Sequence, residues 1–270
     1  MAAMPTRRFN TSGVCKPSKH YMIPAVPRIT GISDMIENEY YFVIHAPRQS
    51  GKTTCLTALT DRINSEGNYY AITCSLASLR DIHNDEKAMS RVVSRINVAL
   101  ESSDVDELHK LAYVFNSSRY MADADGKVQL MLRDLSHALN RELVVFFDEA
   151  DCLMEAPLIL FLAQIRDGYL RRSNLPRSRF PRSMALVGMR DIRDYLTIVR
   201  ADGESQGPGG SPFNVRDESL SLADFTREEI EVLYGQHTAE TGQIFEPEAV
   251  DRAWHWTEGQ PWLVNALARD

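Results

Sequence analysis

The sequence has little of what marks a membrane, secreted or metal-cluster protein. Its longest apolar run, Ala156 to Ala163 with Pro157 inside it, falls far short of the roughly 20 residues that a bilayer span needs. Arg7 and Arg8 stand near the start with no apolar stretch behind them, so no secretory signal is expected. There are only four cysteines, Cys15, Cys55, Cys74 and Cys152, and no C-x-x-C pair. That excludes the usual zinc spacings and predicts reduced thiols in a cytoplasm. Seven histidines form no H-E-x-x-H, and neither a G-x-S-x-G turn nor a Cys/His nucleophile set stands out, which leaves hydrolysis of anything but a nucleotide unsupported. No internal repeat is found.

Positive charge is also in short supply. A net charge of −7 argues against a surface given over wholly to nucleic acid. The average hides a basic run between Gln164 and Asp194, where Arg166, Arg171, Arg172, Arg177, Arg179, Arg182, Arg190 and Arg193 face three aspartates. The run reads as a solvated basic face, as a nucleic-acid surface, or as the source of an arginine finger at Arg171 and Arg172 that projects toward a neighbouring subunit.

What is present is an alternation of strand and helix signals. After an irregular leader punctuated by Pro17, Pro24 and Pro27, Tyr40 to His45 is predicted as a buried strand. A helix follows from about Lys52 to Ser65, with Leu56, Leu59 and Ile63 on one stripe and Gly67 to end it. Tyr69 to Leu76 is a second strand, Asp85 to Asn140 holds two or three helices, and Leu143 to Phe147 is the uninterrupted apolar run of a central parallel strand. A helix over about Leu158 to Leu170 and a strand over Met184 to Val187 complete the pattern of βαβ units. The fold class is therefore α/β, a parallel sheet sandwiched by helices.

Gly, Ser and Pro gather over Ala201 to Pro212, the composition of a hinge, and a short strand is expected at Ser219 to Leu222. Beyond it Thr226 and Glu229 form a capping box with Phe225 and Ile230 placed as a staple; Glu246-Pro247 and Pro261 start two more helices. The expected division is a leader over 1–39 packed on the nucleotide site, a core over 40–223 and a small helical lid over 224–270, with the chain possessing the look of a truncated piece.

The first predicted strand runs into Ala46-Pro47-Arg48-Gln49-Ser50-Gly51-Lys52-Thr53-Thr54 and the helix behind it, the context of a Walker A phosphate loop. Gly51 lets the backbone wrap a phosphate, loop N–H groups and the helix N-terminus bind its oxygens, Lys52 reaches the β- and γ-phosphates, and Thr53 ligates Mg²⁺. Ala46 replaces the first glycine of the pattern, which requires a negative φ there. Asp148 and Glu149 end the central strand as a Walker B pair, Asp148 for Mg²⁺ and Glu149 to polarise an attacking water. Asp148-Glu149-Ala150-Asp151 spells a helicase motif, but the segment from Asp224 onward is too short for a second motor domain. Glu149 also disfavours a kinase. Arg190, at the end of the strand after Walker B, is the candidate γ-phosphate sensor, with pairing to Asp191 or Asp194 as its alternative use.

On Gly51-Lys52-Thr53, Asp148-Glu149, Arg190 and Gly259-Gln260-Pro261 the chain resembles AAA-like ATPases of the additional-strand class, especially STAND signalling ATPases and the related archaeal and replication-initiator-like ATPases. The resemblance implies ATP and Mg²⁺ as ligands, hydrolysis coupled to a conformational switch, and Pro261 as a lid contact to the nucleotide. It also implies an adenine site near Tyr21 to Ile23 and Ser211 to Asn214. Turnover is slow if a neighbour or partner protein must supply a completing arginine. An initiator or loader that binds nucleic acid through residues 164–194 is the alternative. The lid lacks an arginine after Pro261, where Trp262-Leu263-Val264 stand instead, which argues against ring-type motor action.

Overall fold

The computed structural model describes residues 6–115, 120, 126–175, 177–189 and 219–269. The predicted sensor Arg190, the hinge at 201–212 and the adenine-loop residues 211–214 lie outside these. In chain order the elements are α1 (Ile32–Glu37), β1 (Tyr41–His45), α2 (Lys52–Glu66), β2 (Tyr70–Ser75), α3 (Asp85–Glu101), α4 (Asp106–Val114), α5 (Lys127–Ala138), β3 (Leu143–Asp148), α6 (Glu155–Asn174), β4 (Ser183–Gly188), β5 (Ser219–Ser221), α7 (Arg227–Thr241), α8 (Pro247–Thr257) and α9 (Pro261–Arg269). They group into two compact units, one of residues 31–45 and 60–220, the other of residues 1–30, 46–59 and 221–270.

The first unit holds the sheet, in the order β2-β3-β4-β1-β5, with parallel pairing through the first four strands. Every residue of β3 and β4 is buried, as expected for strands covered on both faces. Val92, Val93, Ile96 and Leu100 of α3, Met131, Leu132 and Leu135 of α5, and Phe161 and Ile165 of α6 join the apolar strand residues in one core. In the register His45 opposes Gly188 while Asp148 opposes Val187, so β1 and β3 end level with each other at one edge of the sheet.

Three arginines of the basic run, Arg172, Arg179 and Arg182, lie at the opposite edge, where the strands begin. Arg172 donates to the carbonyls of Pro181 and Arg182, both at 2.7 Å, pairs with Glu39 at 3.0 Å and lies over the Tyr169 ring at 5.1 Å. Arg182 donates to the carbonyls of Ile36 at 3.0 Å and Glu37 at 2.7 Å, the last carbonyls of α1. Arg179 does the same for the Leu139 carbonyl at the end of α5, at 3.2 Å. Carbonyls at helix C-termini have no partner within the helix, and basic side chains satisfy them. Arg172 therefore does not project as a finger: its guanidinium is spent on fixing the strand starts. Arg171 is exposed and pairs with Asp167 one turn back at 2.7 Å.

Two element predictions are corrected. The leader is not wholly irregular, since α1 forms over six residues behind a glycine with φ of 82° and no side-chain cap. Helix α6 begins three residues before Leu158, because Pro157 falls in its first turn, where no N–H has a partner to lose.

In the second unit Thr226 and Glu229 form the capping box of α7, and Phe225 and Ile230 share a core with Phe9, Tyr21, Ile23, Leu233, Tyr234, Val250, Ala253 and Val264. The leader runs along these helices: Gln236 holds both the N–H and the carbonyl of Met22, at 3.2 and 2.7 Å, and Trp262 donates to the Thr11 carbonyl at 2.7 Å. Burial, followed by the hydrogen bond that the phenol gives to the Glu240 carboxylate, raises Tyr21 to about 12, so it stays neutral in this core. Tyr21 and Ile23, expected near adenine, are core residues, 1% and 6% exposed.

Candidate nucleotide site

The phosphate loop follows directly on β1 and opens α2, as the sequence predicts. Its backbone has positive φ at two residues, Gln49 (62°) and Gly51 (89°), and not at Ala46, so the alanine that replaces glycine carries no strain. Alternation of left-handed and right-handed residues turns successive N–H groups to one side and makes a concavity for an anion. Ser50 is fully buried, and its hydroxyl donates to the Pro47 carbonyl at 2.9 Å, closing the turn. Lys52 folds its ammonium onto the carbonyls of Ala46 (2.7 Å) and Pro47 (2.6 Å). Thr53 is exposed, and Thr54 accepts from the Cys15 N–H of the leader at 3.2 Å. Pro47, Arg48 and Gln49 are exposed.

The turn into α9 touches the same loop: Gln260 donates to the Arg48 carbonyl at 3.3 Å, and Pro261, the expected lid contact, is buried at the first helical position. Gly259 has φ of 81°, and its carbonyl accepts from the Phe225 N–H at 2.8 Å. The Gly-Gln-Pro triplet is thus a turn built against residue 225, with its middle side chain on the phosphate loop.

In the first unit, Asp148 is 1% exposed at the end of β3, and its Oδ1 accepts from the Glu149 N–H at 2.9 Å. Glu149 sits in the left-handed region, φ 57°, which bends the chain sharply out of the strand. Its Oε2 accepts from the Ser75 hydroxyl at 2.8 Å. Ser75 ends β2 in register with Asp148, and its carbonyl accepts from Arg95 of α3 at 2.9 Å. Ser75, the partner of Glu149, is a residue that sequence reasoning missed. The only signal for Ser75 was a polar residue at the tip of a strand that proves to neighbour Walker B.

Among the described residues no three His, Cys, Asp or Glu side chains gather as a metal cage. A hydroxyl from Thr53 and a carboxylate from Asp148 are hard oxygen donors, and one or two such protein ligands, completed by water and phosphate, is the habit of Mg²⁺ rather than of zinc. The residues present therefore fit that ion. No helix among the described residues is long and apolar enough to cross a membrane.

A family model described as AAA domain matches residues 36–196. No curated protein matches the chain. Among solved structures, a Walker-type ATPase of Pyrococcus abyssi is similar with a TM-score of 0.58 and 17% identity, over 95% of this chain and 69% of that one. Cdc6p of Pyrobaculum aerophilum is similar with a TM-score of 0.51 and 12% identity, over 88% of this chain and 56% of that one. At these identities the likeness is one of fold.

Proposed function

Because the chain belongs to the AAA domain family, a family of P-loop ATPases, we propose that it binds ATP with Mg²⁺ and hydrolyses it as a conformational switch. The observation that carries this reading is the phosphate loop itself, with positive φ at Gln49 and Gly51 ahead of Lys52 and Thr53. Its strand ends level with the strand that delivers Asp148. In parallel α/β sheets ligands bind at that edge, beyond the carboxyl ends of the strands.

In this reading the loop N–H groups and the start of α2 bind phosphate oxygens, and Lys52 leaves the Ala46 and Pro47 carbonyls to neutralise the β- and γ-phosphates. Thr53 and Asp148 would hold Mg²⁺, which supplies charge neutralisation on the phosphates when bound. Glu149, oriented by the Ser75 hydroxyl, accepts the proton of the attacking water. Arg190 is retained as the γ-phosphate sensor and Pro261 as a nucleotide contact; both are proposals from the family pattern. The nucleic-acid alternative loses the support of Arg172, Arg179 and Arg182, whose donors are engaged by backbone carbonyls.

Lys52→Ala is expected to weaken ATP binding about tenfold or more, since it removes charge-assisted hydrogen bonds worth roughly 1.5–3 kcal/mol. Calorimetric titration of the full chain reads this directly, and equal affinity in variant and wild type refutes the phosphate-loop reading. The switch has its own test. Limited proteolysis of the full chain is expected to change when Mg-ATP is added, by a population shift between conformations, and identical cleavage rates with and without nucleotide exclude the switch.

A further inference from the structure

Two donors grip the phosphate loop from its carbonyl side. Arg28 of the leader is 6% exposed, and its Nη2 donates to the Ser50 carbonyl at 3.0 Å. Nε and Nη2 both donate to the Ala223 carbonyl, at 2.9 and 2.5 Å, and the guanidinium lies 4.8 Å over the Phe225 ring. Among the described residues its acceptors are those carbonyls and the Cys55 sulfur at 3.8 Å, rather than a carboxylate. Burying a cation is costly even with the Asp224 carboxylate close enough to feel its charge. A side chain of another type would fill the space without that cost, which directs attention to what its donors hold.

The second donor is Gln260, whose Nε2 reaches the Arg48 carbonyl at 3.3 Å while its Oε1 accepts from the Leu263 N–H at 2.7 Å. The two are joined behind the loop, since Arg28 stacks on Phe225 and the Phe225 N–H binds the carbonyl of Gly259, next to Gln260. The loop is thereby held at two carbonyls, two residues apart.

In a planar trans peptide the carbonyl of one residue and the N–H of the next point in opposite directions, and all described peptides here are trans. A donor on the Arg48 carbonyl therefore fixes the direction of the Gln49 N–H, and a donor on the Ser50 carbonyl fixes that of the Gly51 N–H. Gln49 and Gly51 are the two residues of the loop with positive φ. Gln49 adopts that conformation without glycine's freedom, a strain that surrounding contacts must offset. Gly51 has a further reason to be glycine: a Cβ there would stand 3.1 Å from Nη1 of Arg28.

We infer that Arg28 and Gln260 are positioning residues for phosphate recognition, which hold the Ser50 and Arg48 carbonyls from outside so that the Gly51 and Gln49 N–H groups face the nucleotide phosphates. This rests on the phosphate-loop reading above. It places the leader and the turn before α9 in the service of the loop's hydrogen-bonding geometry, with neither side chain touching the nucleotide.

The test compares ADP with adenosine, which lacks phosphates, by calorimetric titration of the full chain. Gln260→Ser keeps a cap for the Leu263 N–H, because serine is a good N-cap, but is too short to reach Arg48. It is expected to lose about fivefold in ADP affinity, the effect of one hydrogen bond of roughly 1 kcal/mol, with adenosine affinity unchanged. Arg28→Met, which keeps the length but not the donors, is expected to lose about tenfold or more for ADP alone, and Arg28→Lys, with one donor head in place of a fork, to fall between. Should Arg28→Met fail to fold, Gln260→Ser, at a half-buried position, decides the matter by itself. Equal losses for ADP and adenosine, or an undiminished ADP preference in Gln260→Ser, overturn the inference. A wild-type protein that binds adenosine as well as ADP overturns it together with the phosphate-loop reading, whereas a wild-type preference kept in the variants removes the positioning role alone.

Discussion

Glu149→Gln is expected to slow ATP turnover about a hundredfold or more, the usual loss when a general base is removed, and to leave ATP affinity within about twofold. The expectation follows from how the residue is held. Its backbone is fixed on both sides, with the N–H on Asp148 Oδ1 at 2.9 Å and the carbonyl accepting from the Cys152 N–H at 2.9 Å. Glutamine therefore inherits the position, and its amide oxygen still accepts from the Ser75 hydroxyl that now donates to Glu149. What the amide lacks is basicity. Steady-state turnover measured beside calorimetric affinity separates the two effects, and a glutamine variant that turns over at the wild-type rate would falsify the catalytic role of Glu149. A fall in affinity equal to the fall in turnover would instead assign Glu149 to binding.

Gly259→Ala is expected to destabilise the helical unit by about 3 kcal/mol or more, among the larger effects of a single methyl group. The added Cβ would lie 1.9 Å from the Phe225 carbonyl oxygen and 3.0 Å from its nitrogen, which are backbone atoms and cannot swing aside. The φ of 81° adds strain that alanine does not tolerate. Relief requires the turn to part from Phe225, which breaks the 2.8 Å hydrogen bond between them. All three tryptophans, Trp254, Trp256 and Trp262, lie on α8 and α9, so denaturant unfolding followed by tryptophan fluorescence reads this unit. Gly235→Ala is the control: inside α7, with nothing within 4 Å of an added Cβ, it is expected to stabilise by up to about 1 kcal/mol. Indistinguishable unfolding midpoints for Gly259→Ala and wild type would show that the turn yields without cost.

The parts of the fold that were legible are those written locally. The phosphate loop, the Walker B acids and the Thr226 capping box are each a few consecutive residues whose spacing implies their geometry, and the buried strands announce themselves by unbroken apolar runs. The arginines of residues 164–194 were illegible for the opposite reason. A guanidinium is recruited by whichever carbonyl lacks a donor, and the acceptors of Arg182 and Arg179 are ends of helices far off in sequence. A count of charge sees only the excess. The contacts of Arg28 and Gln260 were likewise hidden, since each reaches the phosphate loop from a distant part of the chain. Helix α1 escaped because six residues carry too little periodicity, and the start of α6 because proline's exclusion from helices lapses in the first turn.

The strand order carries a consequence for the birth of the molecule on the ribosome. Strand β1 leaves the exit tunnel ahead of every other strand, yet its partner across the Tyr41–Met184 register is translated about 140 residues later. At roughly 5–20 residues per second the interval is about seven to thirty seconds. Throughout it Tyr41, Phe42, Val43 and Ile44, buried in the finished protein, have no parallel neighbour on either side. Strands β2 and β3 find each other sooner, across the helices α3 to α5, so the nascent chain holds half a sheet with its later middle strand still unmade. The segment that becomes the phosphate loop hangs from that waiting strand, so its final setting must wait for β4 as well.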